Sequence, residues 1–288
     1  MEMNLSFERN TKLPEKLDLV PLDSELWDVY KGAFGNVVED LRPLMNPRPR
    51  ILTPPQKLQE AIQFQSLFEN LWHELRFYAA SYIAVPYLVF LLQQRAAERD
   101  FQSQLDIISD LGLCLSTDIP SNHDQPSLPI PDRGMIDSYN ASIAVLQDIT
   151  KTFLEKYLER LQWLGENEKM DFYISVLAIL GDREAAFVFN STALDDCRLA
   201  CGECEYRDET IDPFSVRNPN SIRPARSVIG RWDGKSLTDV YTWFSNLVDM
   251  LGDKQAVRAL AYYYGIYTCP KCGAKGRVID LVKKYFFE

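Results

Sequence analysis

Four cysteines stand in two close pairs, Cys201-Gly-Glu-Cys204 and Cys269-Pro-Lys-Cys272. Two cysteines separated by two residues can hold one metal ion from a single tight turn, and four thiolates complete the tetrahedron of a structural zinc site. The second pair is the stronger half-site: Pro270 presets the turn, and Gly273 lets the backbone bend so that its amides point at the sulfurs. The first pair fits the same geometry. Cys201, Cys204, Cys269 and Cys272 together predict one structural Zn2+ centre in the C-terminal half. Iron on four thiolates has the same ligand set. Four thiolates leave no open position for water, so catalysis at such a metal is not expected. Two alternatives stay open, reduced pairs without metal and a redox disulfide, although no βαβ pattern surrounds either CxxC. Cys197 precedes Cys201 by four positions and is a rival ligand, whereas Cys114 reads as a small buried side chain.

Other chemistry is sparse in the sequence. The chain has two histidines, His73 and His123. Glu69, His73 and Arg76 fall three or four apart, on one face of a predicted helix, and read as a polar surface patch. No HExxH, GxSxG, P-loop or dinucleotide fingerprint is present. Catalytic residues are therefore not assigned. An enzyme whose site is assembled from scattered residues remains one alternative.

The elements that must position the cysteines read as helices. Apolar residues recur at helical spacing over Gln56–Tyr78, with Leu58, Ile62, Leu67, Leu71 and Leu75 on the predicted inner stripe. Ala79–Gln94 is predicted as a helix kinked or interrupted by Pro86. Further helices are predicted over Arg95–Cys114, Met135–Leu164, Glu166–Leu180, Arg183–Asn190, Ser236–Leu251 and Lys254–Tyr264. Short ones are expected from Ser24 and over Gly35–Met45, and a helix or strand over Val278–Phe287. Asn46–Pro55 holds four prolines in ten residues and reads as a linker. Clean period-two alternation is confined to short pieces. The predicted fold is all-α or nearly all-α, built of stacked helix pairs: a helical region over residues 1–115, a long polar loop over 116–134, and a helical region with the metal site over 135–288.

A regularity surrounds the cysteines. Ile-Leu-Gly-Asp at 179–182 and Met-Leu-Gly-Asp at 250–253 each end one predicted helix and begin another, and each is followed by a CxxC. The order helix, Gly-Asp, helix, CxxC thus occurs twice, which predicts a duplicated unit whose copies share one metal.

The chain has 288 residues, 46% apolar and 25% charged, which suits a globular protein with a sizeable core. Its formal charge is −10. Such a surface disfavours a general grip on phosphate and favours a basic partner. The basic runs at 217–235 and 271–284 flank the metal region and carry the alternative of a zinc-containing nucleic-acid-binding protein. The acidic stretch at 203–212 opposes it locally. The opening residues are charged and do not resemble a signal peptide. Tyr82–Leu92 is too short to span a bilayer and contains Pro86. The expected location is the cytoplasm, where paired cysteines bind metal more readily than they form disulfides.

Phe68–Leu92 resembles a pattern of bacterial HEAT-like helical-repeat proteins, in which a helix bearing Leu-Trp and His leads into Tyr, small residues, Ala-Val-Pro and an apolar run. The matching residues are Leu71, Trp72, His73, Tyr78, Ala79, Ala80, Ser81, Ala84, Val85, Pro86, Leu88 and Val89. Trp27–Gly35 is similar to the opening of such proteins. The paired cysteines and the long loops depart from the plain pattern. The resemblance implies stacked helix pairs. Because some of these proteins are immunity proteins of toxin systems, it also implies a protein-binding role, neutralising a bacterial toxin by direct binding. It carries over no catalytic residues.

Overall fold

The computed structural model describes residues 13–14, 16–46, 52–119, 129–192, 199–204, 206–208, 229–230 and 239–287. The chain divides into two compact units, residues 1–157 and 158–288. The division falls further along the chain than the loop at 116–134. It coincides with Tyr157, where the long helix α6 (Arg133–Leu161, the sixth in chain order) leaves helical geometry at φ −119°, ψ 15°.

The first unit is built from α1 (Leu26–Val29), α2 (Val38–Leu44), α3 (Pro54–Leu71), a hairpin of β1 (Trp72–His73) and β2 (Arg76–Phe77), α4 (Ser81–Glu98), α5 (Phe101–Ser116) and most of α6. α2 packs on α3 and α4 on α5. α4 is the core helix: Ile83 through Val89, Leu91, Leu92 and Arg95 are all buried, so it is apolar nearly all round. It runs unbroken through Pro86. A mid-helix proline costs about 3 kcal/mol, a penalty that burial on every side of this helix offsets. Arg95, 2% exposed, bonds Glu60 of α3 at 2.7 Å and Glu98 at 3.3 Å, so its buried charge is paired. Cys114 is fully buried, as expected.

α3 differs from its predicted extent. It starts at Pro54, capped by Thr53 and Gln56, and stops at Leu71, because Trp72 turns extended at φ −140°, ψ 106°. Trp72–Phe77 then forms a two-stranded hairpin with His73 opposite Arg76. Glu69, His73 and Arg76 therefore do not share a helix face. The physical reason is tertiary: the hairpin drives Phe77, 1% exposed, against Tyr82 and Tyr139, at centroid distances of 5.2 and 6.3 Å. The inner face of α3 is as expected in its second half and lost in its first turns. Phe64, Leu67, Phe68 and Leu71 are buried, whereas Leu58 and Ile62 are exposed because the first turns of the helix project from the unit. Val29 is likewise exposed, with Trp27 taking the inner place in α1.

The second unit holds α7 (Glu166–Leu180), α8 (Arg183–Thr192), β3 (Leu199–Ala200), β4 (Arg207–Asp208), β5 (Ile229–Gly230), α9 (Asp239–Met250), α10 (Lys254–Tyr263), β6 (Ile266–Thr268), β7 (Lys275–Arg277) and α11 (Val278–Phe287). α7 packs on α8 and α9 on α10. Tyr173, Phe189, Phe244 and Tyr263 bring all four helices to one aromatic core, with Phe189 at 6.1 Å from Phe244 and 5.0 Å from Tyr263. The protein is thus nearly all-α, of stacked helix pairs. Its described strands are two or three residues long and arranged as β1-β2, β3-β4 and β5-β6-β7, all antiparallel.

The two Gly-Asp junctions are built alike. Asp182 Oδ1 accepts the Ala185 N–H at 2.9 Å, and Asp253 Oδ1 accepts the Ala256 N–H at 2.9 Å. Each aspartate caps the following helix, and each of those helices has ten residues. Each then leads into a strand, a CxxC and a second strand. The expected repeat is therefore present as a repeated order of elements.

Candidate metal centre

Both cysteine pairs sit in hairpin turns. Cys201 and Cys204 lie between β3 and β4, closed by the Cys201 N–H donating to the Tyr206 carbonyl at 2.8 Å. Cys269 and Cys272 lie between β6 and β7, closed by the Cys269 N–H donating to Ala274 O at 2.8 Å and the Gly273 N–H donating to Cys269 O at 2.9 Å. Gly273 takes φ +75°, a left-handed conformation that suits glycine and lets this knuckle close.

The two turns meet sulfur to sulfur. Cys201 Sγ lies 3.5 Å from Cys272 Sγ, and Cys204 Sγ lies 3.7 Å from Cys269 Sγ. All four sulfurs fall within 4.8 Å of one another. Four sulfurs at about 2.3 Å from one zinc ion are about 3.8 Å apart along each edge of the tetrahedron. A disulfide needs about 2.05 Å. The observed spacing fits the first and not the second, and all four are free cysteines. The four-cysteine cluster is that of a structural zinc site. A zinc ion held there supplies a covalent-strength tie between residues far apart in the chain.

Electrostatics act in opposite directions on Cys269 and Cys272. Burial opposes ionisation of Cys269, but the N–H groups of Cys272 and Lys271, with the neighbouring thiols, bring its pKa down to about 6. At Cys272 the Ala274 N–H favours the thiolate, yet the thiols of Cys204, Cys201 and Cys269, together with burial, hold it above the ordinary range. Of these two thiols Cys269, which is 2% exposed, is the more readily ionised. Cys201 is buried, Cys204 half-buried and Cys272 exposed, so one edge of the centre faces solvent.

Support for the cluster comes from α11, which packs on β3, β7 and α8. The Leu281 side chain reaches both turns. A Cβ on Gly276 would stand 3.0 Å from it and one on Gly202 3.8 Å from it. From the same helix Lys283 Nζ reaches Asp182 Oδ2 at 2.5 Å and Glu184 at 3.5 Å. Tyr241 donates its hydroxyl to the same Asp182 oxygen at 2.9 Å. Burial works against the charge on Asp182, but Lys283, the Ala185 N–H and Tyr241 outweigh it and hold the carboxyl below its ordinary range. Asp182 therefore links α8, α9 and α11 beside the metal turns.

The structure brings together all four predicted ligands. Leu281, Asp182, Lys283 and Tyr241 were not legible as supports: each acts across the fold, and only the Gly-Asp repeat hinted at Asp182. Cys197, His123, the basic run at 217–235 apart from 229–230, and residues 205 and 209–212 of the acidic stretch lie outside the described residues. No helix among the described residues is long and apolar enough to cross a membrane. No protein-family model matches the chain, and no curated protein and no solved structure matches it either.

Proposed function

We propose that this protein works by binding another protein, as an immunity-type factor that neutralises a basic bacterial toxin domain by covering it. The observation that carries this reading is the charge: 41 acidic residues against 31 basic ones, on a chain of helices and hairpins. An acidic surface speeds encounter with a basic partner and suppresses wrong ones. The zinc centre supports the reading by its chemistry. Four thiolates saturate the ion, so it serves as a brace for a binding scaffold. Such a cluster suits a reducing compartment, and the reading accordingly places the protein in the cytoplasm.

The basic residues near the metal favour the nucleic-acid alternative less than their number suggests. Lys283 is spent on Asp182 and Glu184, leaving Lys271, Lys275 and Lys284 exposed. Affinity capture of the full chain from its native cells separates the readings. The expected result is one small basic protein whose toxicity on expression is relieved by co-expression of this chain. Recovery of nucleic acid alone would contradict it.

A further inference from the structure

We propose that the face formed by the 32–35 turn and the β1–β2 hairpin is the docking site for that basic protein partner, with Phe34 as its anchor. This deepens the reading above and rests on it. Phe34 is 67% exposed. Its ring stands edge-on to the His73 imidazole, with centroids 4.8 Å apart. An exposed phenylalanine forgoes burial, yet this one is held in place. The Phe34 N–H donates to Asn70 Oδ1 at 2.8 Å, and the Ala33 N–H donates to the Asn70 carbonyl at 2.7 Å. Asn70 is itself buried and also donates to Asp40 at 3.4 Å. At Gly32 a Cβ would stand 2.3 Å from the Asn70 carbonyl oxygen, so only glycine lets the turn lie this close.

The neighbouring hairpin carries strain. Glu74 and Leu75, its two central residues, both take left-handed geometry, at φ 51° and 58°. Asn-Gly adopts this turn with little cost, whereas Glu-Leu does not. Retained strain of this kind concentrates at binding surfaces. The residue kept there is a carboxylate, 71% exposed and 3.9 Å from His73. Glu69 precedes Asn70 on α3, Asp40 bonds Asn70 and Ser66, and Asp28 bonds Asn36 two residues beyond Phe34. In the segments 28–40 and 69–76, which carry Phe34 and His73, carboxylates outnumber the exposed cations Lys31 and Arg76. An aromatic held in place on segments of net negative charge fits a binding hot spot for a basic partner.

The test places a photo-crosslinking phenylalanine analogue at position 34 of the full chain in its native cells, with a control at the 88% exposed Trp163. The captured protein is then purified and its affinity for the unmodified chain measured at several salt concentrations. The expected capture is a protein of net positive charge, obtained at position 34 and not at 163. Its binding weakens with salt, falls at least about tenfold in Phe34→Ala and in Glu74→Asn, and is unchanged in Trp163→Ala. Glu74→Asn is also expected to melt no lower than the parent, because asparagine tolerates the left-handed position. A merely structural role for Glu74 would give a lower melting temperature. If a basic partner is recovered with the intact chain but Phe34→Ala binds it equally well, the surface is refuted and the protein-binding reading survives. If neither route yields a basic protein, both are refuted.

Discussion

Asp182 shows how much one side chain can carry in this protein: it caps α8, accepts from Tyr241 and pairs with Lys283. Removing its charge with Asp182→Asn is expected to cost about 2 kcal/mol, as for a hydrogen bond to a charged group, measured by urea denaturation at neutral pH. The pH dependence has a definite sign. The folded carboxyl titrates below the unfolded value of about 3.9, so its contribution is complete above that pH and is lost as pH falls through the folded value. The stability gap between parent and Asp182→Asn should therefore narrow in acid. At the metal, each ligand is needed, since a tetrahedron with three thiolates binds zinc more weakly and opens a position to water. Cys201→Ser and Cys269→Ser are each expected to lower zinc retention in a competition assay with a chelating dye. Retention in the parent should fall with acidification, because protons compete for the sulfurs. The four ligands were legible from sequence because CxxC spacing is local chemistry. The meeting of the two turns was not, since it depends on how two distant hairpins face each other.

Elements rather than single residues set the approach of those hairpins. α11 lays Leu281 over both turns, and Gly276 leaves just enough room for it. Gly276→Ala is expected to push Leu281 away, lowering stability by about 1–3 kcal/mol as overpacked sites do and loosening zinc retention. Measuring both on the same variant checks the link. In the first unit the corresponding close approach is Gly32 on Asn70, and Gly32→Ala should destabilise that unit while leaving zinc retention unchanged. Helix existence was legible through apolar periodicity: α7 and α10 lie close to their expected places, whereas α5 starts six residues later than expected because α4 runs on to Glu98. The end of α3 was not. Apolar residues continue at helical spacing through Leu75, with no glycine or asparagine at the turn positions 74 and 75, and the burial of Phe77 among Tyr82 and Tyr139 overrides that local pattern. The exposed Phe34–His73 pair was hidden for the same reason, because it forms only once that hairpin exists.

For the molecule as a whole, the chain divides into two compact units, and among the described residues one four-cysteine cluster stands out, within residues 158–288. Metal that binds only the folded form adds to stability by mass action. Chelation is therefore expected to melt the second unit first and to leave amide protection in residues 1–157, as read by hydrogen exchange with mass spectrometry. The repeated order of helix, Gly-Asp, helix and CxxC was legible because its punctuation is local. The division at Tyr157 was not, because the apolar spacing of Met135–Leu164 allows one helix or two and does not locate a break at Tyr157. All of this rests on the four sulfurs sharing one ion. Metal analysis of the purified full chain, scored as moles of zinc per mole of protein, tests that directly. The expected result is one zinc per chain, lost when Cys269 and Cys272 are both replaced by serine; a metal-free chain in which Cys201, Cys204, Cys269 and Cys272 all titrate as free thiols would contradict it.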